Sequence, residues 1–165
     1  MEEIPPPDIH HVNAAIGWAE LGNAAEARAE LALVAPQYWH HPTVLEAEWT
    51  ICSEARDWAG GLEVAERLLE ADPDNVMGWI SRSFSLHELK RTADAYEALL
   101  PAVKLFPAIS TVPYNLACYT CQMGRLAECW KWLQKVMAMR GVEELKAQAL
   151  ADADLKPIWS DLRKL

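Results

Sequence analysis

The strongest constraint on the fold of this chain is a pattern that repeats about every 34 residues. Residues 76–109 have the apolar spacing of two short helices, joined by a polar turn at Lys90 and closed by Pro107. The same pattern recurs one period earlier, where it ends at Pro73, and one period later, where its turn falls at Gly124. Periods of this length with paired helices are typical of helical repeat arrays. The sequence therefore predicts an all-α protein built from stacked helix pairs.

The period also predicts how the chain is divided. Three consecutive prolines keep the first seven residues from starting a helix, so we expect them to be disordered. The residues after 143 are amphipathic, as expected of a terminal cap on the open end of a repeat array. The predicted segments are a disordered N-terminus at 1–7, four helix pairs at 8–41, 42–75, 76–109 and 110–143, and C-terminal capping helices at 144–165.

Prolines predict two irregularities inside these segments. Pro36 is expected to stop the second helix of the first pair at about Ala35, which is earlier than the repeat allows. Pro101 lies inside the second helix of the third pair, where it removes one backbone hydrogen bond, so a kink is expected there.

The composition places the chain among ordinary globular proteins. Its 165 residues are 52% hydrophobic and 24% charged, which excludes a disordered protein and allows one domain with a real core. No apolar run approaches the roughly 18 residues that cross a bilayer, so no membrane association is expected. The acidic, proline-rich N-terminus is unlike a signal peptide, and four cysteines fit reduced thiols. A cytoplasmic location is the expectation.

The charge of the chain is unevenly distributed. Residues 1–75 carry three arginines against fifteen acidic residues, a net charge of −12, whereas residues 76–165 carry twelve basic against nine acidic residues, a net charge of +3. Phosphate binding needs a basic stripe, so a nucleic-acid partner is not expected. Two interpretations of the acidic half stay open: a solvated face that maintains solubility, or a surface that a basic partner approaches.

Small residues recur where the two helices of each pair would cross. The twentieth residue of each unit is small, and the eighth is small in three units. The twentieth residues are Ala27, Gly61, Ala95 and Cys129, and the eighth are Ala15, Trp49, Ser83 and Ala117. This pattern resembles the tetratricopeptide repeat (TPR) family, in particular small bacterial-type repeat proteins, over nearly all of residues 8–143. Trp49 departs from it, which predicts that the second unit either opens its helix crossing or shifts its register.

The resemblance implies a right-handed α-solenoid of about four helix-turn-helix repeats with a C-terminal capping helix. In that family the first helices line a concave groove that binds a peptide or helix of a partner protein. The groove positions that we carry over are Ile16, Glu20, Thr50, Glu54, Ile80, Phe84, His87, Glu88, Tyr114, Asn115, Cys118 and Gln122. An acidic and aromatic groove favours a partner segment with apolar anchors and basic flanks.

Residue types that carry chemistry are sparse. Cys118 and Cys121 form a Cys-x-x-Cys pair, but zinc needs four convergent ligands, and small apolar filler is the better interpretation. The sequence contains no nucleophile elbow, phosphate-binding glycine loop or zinc-protease helix. We therefore predict no metal, no cofactor and no enzymatic activity.

Two classes of function remain. The first is a non-catalytic protein–protein interaction scaffold, and the alternative is a specialised cytosolic chaperone that holds an aggregation-prone client, like the small repeat proteins of secretion systems. A redox enzyme using Cys118 and Cys121 is a distant third. Self-association is also left open, as is whether the groove is free or is covered by the C-terminal cap or a second copy.

Overall fold

The regular structure of the chain is helical throughout. The computed structural model describes residues 3–165, and within that range it contains α-helices and two short 3₁₀ helices but no strand. The α-helices are α1 Asp8–Glu20, α2 Ala24–Leu31, α3 Pro42–Glu54, α4 Trp58–Ala71, α5 Val76–Glu88, α6 Thr92–Leu99, α7 Ala102–Leu105, α8 Thr111–Gln122, α9 Leu126–Arg140, α10 Val142–Ala149 and α11 Trp159–Leu162. The 3₁₀ helices are Pro36–Tyr38 and Ala153–Ile158. The predicted all-α class is confirmed.

The turn between the paired helices has the same geometry at four places along the chain. Gly22, Arg56, Lys90 and Gly124 lie one period apart, and each has a positive φ, between 54° and 76°. The next residue at each turn donates its N–H to the carbonyl five positions back, at 2.8–2.9 Å. This is the Schellman motif, which satisfies the free carbonyls at a helix end. The period of the sequence is therefore also a period of backbone conformation.

The chain divides into two compact units, and the division falls within α5. The N-terminal unit extends to Ser85 and the C-terminal unit is Leu86–Leu165. In the N-terminal unit, α1 packs on α2 and α3, and α3 packs on α4. In the C-terminal unit, α8 packs on α6 and α9, and α9 packs on α10. Each unit thus has its own core of antiparallel helix pairs.

Packing of the proline-rich N-terminus begins before the first helix, although the sequence predicts disorder there. Residues 1 and 2 of the segment expected to be disordered lie outside the described residues. Ile4, however, is buried with Val12, Val34 and Val44 in one apolar cluster. This burial differs from the expectation of disorder, because the prolines prevent an early helix but do not prevent an extended segment from packing.

Helix α2 ends earlier than Pro36 alone requires. It stops at Leu31 rather than at about Ala35, and the following residues turn so that Val34 is buried. The backbone N–H of Ala35 donates to Asp8 Oδ1 at 2.6 Å, which ties this turn to the start of α1. The residues after the end of α2 are thus held in part by a contact with a residue 27 positions away.

Trp49, which departs from the small-residue pattern, is accommodated by a glycine on the facing helix. The indole Nε1 of Trp49 donates to Ser85 Oγ at 3.1 Å. A Cβ atom on Gly61 would lie 3.4 Å from that nitrogen and 3.2 Å from Ser85 Oγ, closer than most such contacts. The smallest residue thus lies opposite the largest one at this helix crossing.

In the C-terminal unit, the helix predicted to be kinked at Pro101 is broken there. Helix α6 ends at Leu99, and α7 begins at Ala102. The chain after α9 forms α10, a 3₁₀ helix and α11, and it buries Leu145, Leu155 and Leu162 completely. The 3₁₀ helix Ala153–Ile158 packs on α8. This packing places these C-terminal residues over α8.

Candidate functional site

In the C-terminal unit, the chain's own C-terminal segment, Asp152–Ile158, lies on α8. Asp152 anchors the start of this segment. Its Oδ2 atom accepts a hydrogen bond from the Tyr114 hydroxyl at 2.9 Å and a weaker one from the Cys118 thiol at 3.5 Å. Its Oδ1 atom accepts from the backbone N–H of Asp154 at 3.0 Å and so caps the 3₁₀ helix. One carboxylate therefore joins the segment to α8 and also shapes the segment itself.

Asp154 makes the second set of contacts. Its Oδ2 lies 3.0 Å from His87 Nε2, which donates to it, and its backbone carbonyl accepts from Gln122 Nε2 at 2.7 Å. The other ring nitrogen of His87 lies 3.0 Å from Thr92 Oγ1, and the imidazole packs on the ring of Tyr119 at 5.0 Å. Contacts at both ring nitrogens, with Thr92 and with Asp154, thus fix the orientation of the imidazole.

These contacts bury side chains that were expected to face a partner. His87, Tyr114 and Cys118 are only 5%, 4% and 5% exposed. Burial raises the pKa of the Tyr114 phenol, and the neighbouring Cys118 and Asp152 raise it further. Burial also raises the pKa of the Cys118 thiol well above its usual value, with Asp152 adding to the effect. Both groups are therefore protonated donors toward Asp152 at neutral pH.

Because the pKa values of Tyr114 and Cys118 are raised by folding, the free energy of unfolding is expected to fall at alkaline pH. The ordinary pKa values are 9.0 for cysteine and 10.0 for tyrosine, and both pKa values are raised in the folded state. The stabilisation is therefore complete below these values and is lost as the pH rises above them. We expect Tyr114→Phe to flatten part of the decline in unfolding free energy above about pH 10, measured by urea denaturation across a pH series. Tyr38→Phe, in the N-terminal unit, is the matched control, and an equal flattening in both variants would contradict the assignment.

The N-terminal unit presents the corresponding positions on α1 and α3, which pack against each other. Ile16 and Thr50 are half-buried, whereas Glu20 and Glu54 are exposed. Ile16 packs against the apolar cluster of this unit, and the Thr50 hydroxyl donates to Glu46 O within its own helix. We call Ile16, Glu20, Thr50 and Glu54 the first-helix face.

The other predicted groove residues differ in how far they are covered. Ile80 is buried, and Phe84 is half-buried because its ring makes edge-on contacts with Trp49 at 6.3 Å and with Trp58 at 5.6 Å. Glu88 and Asn115 are partly exposed. Phe84 is therefore already packed within its own unit and offers a partner only part of its ring.

The residues that hold the C-terminal segment correspond in the repeat to the first-helix face. Moving back from Cys118 by one, two and three periods of 34 residues reaches Phe84, Thr50 and Ile16. The same steps from Gln122 reach Glu88, Glu54 and Glu20. At these positions the C-terminal unit has a thiol and an amide that donate to an acidic segment. The N-terminal unit instead has two carboxylates, which only accept hydrogen bonds.

Two residues of this arrangement were not identified from the sequence. Asp152 and Asp154 belong to a stretch that was assigned only to the terminal cap. The signal that could have found them is a pair of acidic residues, two apart, directly before the apolar Leu155 and Ile158. In the folded chain Asp152 meets donors on α8, and the carboxylate of Asp154 meets His87 of α5.

The four cysteines are buried as free thiols: Cys52, Cys118, Cys121 and Cys129. Within residues 3–165, no group of three or more His, Cys, Asp or Glu side chains is arranged to hold a metal ion. In the same range, no helix combines the length and apolar character needed to span a bilayer.

Comparison with known proteins identifies the fold through solved structures alone. No model of a known protein family matches the chain, and no curated protein sequence matches it. The structure is similar to that of MamA residues 41–end from Desulfovibrio magneticus RS-1, with a TM-score of 0.72, 17% identity, and coverage of 99% of this chain and 97% of that one. It is also similar to a thermophilic TPR protein of Thermus thermophilus, with a TM-score of 0.72, 14% identity, and coverage of 96% and 100%.

These similarities confirm the resemblance that the sequence predicted, at the level of the fold. The chain has a TPR-like helical repeat fold. At 14–17% identity the likeness does not extend to function. The function has to be argued from the contacts and charges of this chain.

Proposed function

We propose that this protein is a non-catalytic interaction scaffold and that its first-helix face binds an extended or helical segment of a partner protein. The observation that supports this most is the C-terminal segment on α8. Tyr114, Cys118 and Gln122 hold that segment by three side-chain hydrogen bonds. In the C-terminal unit the chain supplies its own bound segment, and this supports the proposal that the corresponding helices of the N-terminal unit bind a segment of a partner.

The negative charge of the N-terminal unit indicates the chemistry of the partner segment that we propose. The unit carries four arginines against fifteen acidic residues, a net charge of −11. Glu20 and Glu54 are exposed on the first-helix face, beside the apolar Ile16. A segment with an apolar anchor and flanking lysines or arginines complements this face, whereas a nucleic acid would be repelled by it. The electrostatic attraction should also increase the association rate.

The first experiment is to capture partners on the immobilised chain from the source cell and identify them by mass spectrometry. The scaffold proposal predicts one stable partner that contains a basic segment and whose affinity falls as salt is raised. The alternative, a chaperone, predicts several unrelated and aggregation-prone clients. Capture of acidic partners only, with no dependence on salt, would contradict the proposed use of the first-helix face.

A further inference from the structure

A cavity in the N-terminal unit lies on a different side of α3 from the first-helix face. It is a cleft of about 440 Å³ between α2, α3 and α4, and it includes part of the connector that follows α2. Its apolar floor is formed by Leu31, Ile51 and Val64. The size is within the range of about 300–1,000 Å³ that is typical of ligand pockets. We call this cavity the second-helix cleft.

The cleft forms because α2 and α4, each the second helix of its own pair, differ in length. Helix α2 has 8 residues and α4 has 14, since α2 ends at Leu31. In the space beyond that end, the connector places Trp39, which is 47% exposed and lines the cleft. The indole Nε1 donates to Val34 O at 2.9 Å, and Arg67 Nη2 donates to Trp39 O at 3.4 Å. An exposed aromatic wall is thus held in place from two sides.

The rim of the cleft has more carboxylates than guanidinium groups. Its two arginines are engaged, Arg28 with Asp57 at 3.9 Å and Arg67 with Glu48 at 3.0 Å. Glu63 is a third carboxylate on the rim and is exposed. The lining therefore has a net charge of −1, within a unit whose net charge is −11. A cationic occupant is favoured over an anionic one.

We propose that the second-helix cleft binds the side chain of a lysine or arginine from a basic segment of a partner protein. Lysine and arginine combine an apolar stem with a cationic head, and they complement a cleft with an apolar floor and an acidic rim. In this proposal the stem packs on the apolar Val64 and Leu31, the head pairs with Glu63, and the aromatic Trp39 lines the same cleft. This site is distinct from the first-helix face, because it uses a different side of α3.

Alkylation of Cys52 allows binding in the cleft to be measured separately from binding elsewhere on the protein. Cys52 lines the cleft and is 7% exposed, and the other three cysteines belong to the C-terminal unit. The probe is a short synthetic peptide of lysine and leucine, and the matched control is the same peptide with glutamate in place of lysine. We expect the lysine peptide to bind and to slow alkylation of Cys52, followed by mass spectrometry of the fragment that carries this residue. The glutamate peptide should do neither.

Two pairs of variants test the side chains. Trp39→Ala is expected to weaken binding of the lysine peptide about tenfold, a typical loss for an aromatic anchor, whereas Trp18→Ala, an exposed tryptophan on α1, should not. Glu63→Gln should weaken binding more than Glu70→Gln, which removes the same charge from the same helix outside the cleft. Circular dichroism verifies that each variant is folded.

The outcomes distinguish binding in the cleft from general electrostatic attraction to the acidic N-terminal unit. Equal losses in Glu63→Gln and Glu70→Gln, or unchanged alkylation of Cys52 in the saturated complex, would overturn the proposal. Absence of binding by the lysine peptide would overturn it as well. The first two results would not bear on the first-helix face, which Glu54→Gln tests independently, whereas absence of peptide binding would count against both sites.

Discussion

Replacing Leu155 with alanine is expected to destabilise the C-terminal unit by about 2–5 kcal/mol. Leu155 is fully buried in the 3₁₀ helix that packs on α8. Its truncation removes apolar contacts and leaves a cavity beneath a segment that is otherwise held by a few hydrogen bonds. The measurement is urea denaturation of the full chain, compared with wild type.

Leu165→Ala is the matched control for Leu155→Ala. The Leu165 side chain is 49% exposed, so the same truncation should change stability by no more than about 0.5 kcal/mol. Equal effects at the two positions would mean that the C-terminal segment does not form part of the core. That result would also remove the main support for a segment-binding surface on α8.

The second large effect is expected for Asp152→Ala, at about 2–4 kcal/mol. This carboxylate accepts from the Tyr114 hydroxyl and caps the 3₁₀ helix through the N–H of Asp154. Hydrogen bonds to a charged group contribute about 1.5–3 kcal/mol, and a lost cap costs about 1 kcal/mol more. The Tyr114 hydroxyl would also be left buried without this acceptor. Chemical denaturation measures the loss.

A double-mutant cycle with Tyr114→Phe shows whether this hydrogen bond causes the loss. Directly interacting groups couple by about 0.5–3 kcal/mol, so the two changes together should cost clearly less than the sum of the single changes. Asp161→Ala is the control, because Asp161 is an exposed residue paired with Lys164 on the surface. Additive effects of Asp152 and Tyr114 would contradict this geometry.

The repeat could be predicted from the sequence because its signals are local. The turns at Gly22, Arg56, Lys90 and Gly124 follow from apolar spacing and turn residues, and they fall where the period places them. The end of α2 could not be predicted in this way. The residues after it are held in part by the contact of Ala35 with Asp8, 27 residues away, and no local pattern reports such a contact.

The same distinction applies to the site. The register that relates Gln122 to Glu54 and Glu20 can be read from the period alone. The occupant of α8 could not be predicted, since Asp152 and Asp154 meet Tyr114 and His87 only after the C-terminal residues fold back. The second-helix cleft was missed for a similar reason, because it results from the early end of α2.

The central claim, that the first-helix face binds a basic partner segment, is tested most directly by the affinity of an identified partner. The double variant Glu20→Lys/Glu54→Lys reverses two charges on this face, and Glu70→Lys/Asp74→Lys makes the same change at exposed positions elsewhere in the unit. We predict that the first double variant weakens binding at least about tenfold, the loss expected of hot-spot changes, and that the second changes it far less. Equal losses in both double variants, or none in the first, would contradict the account.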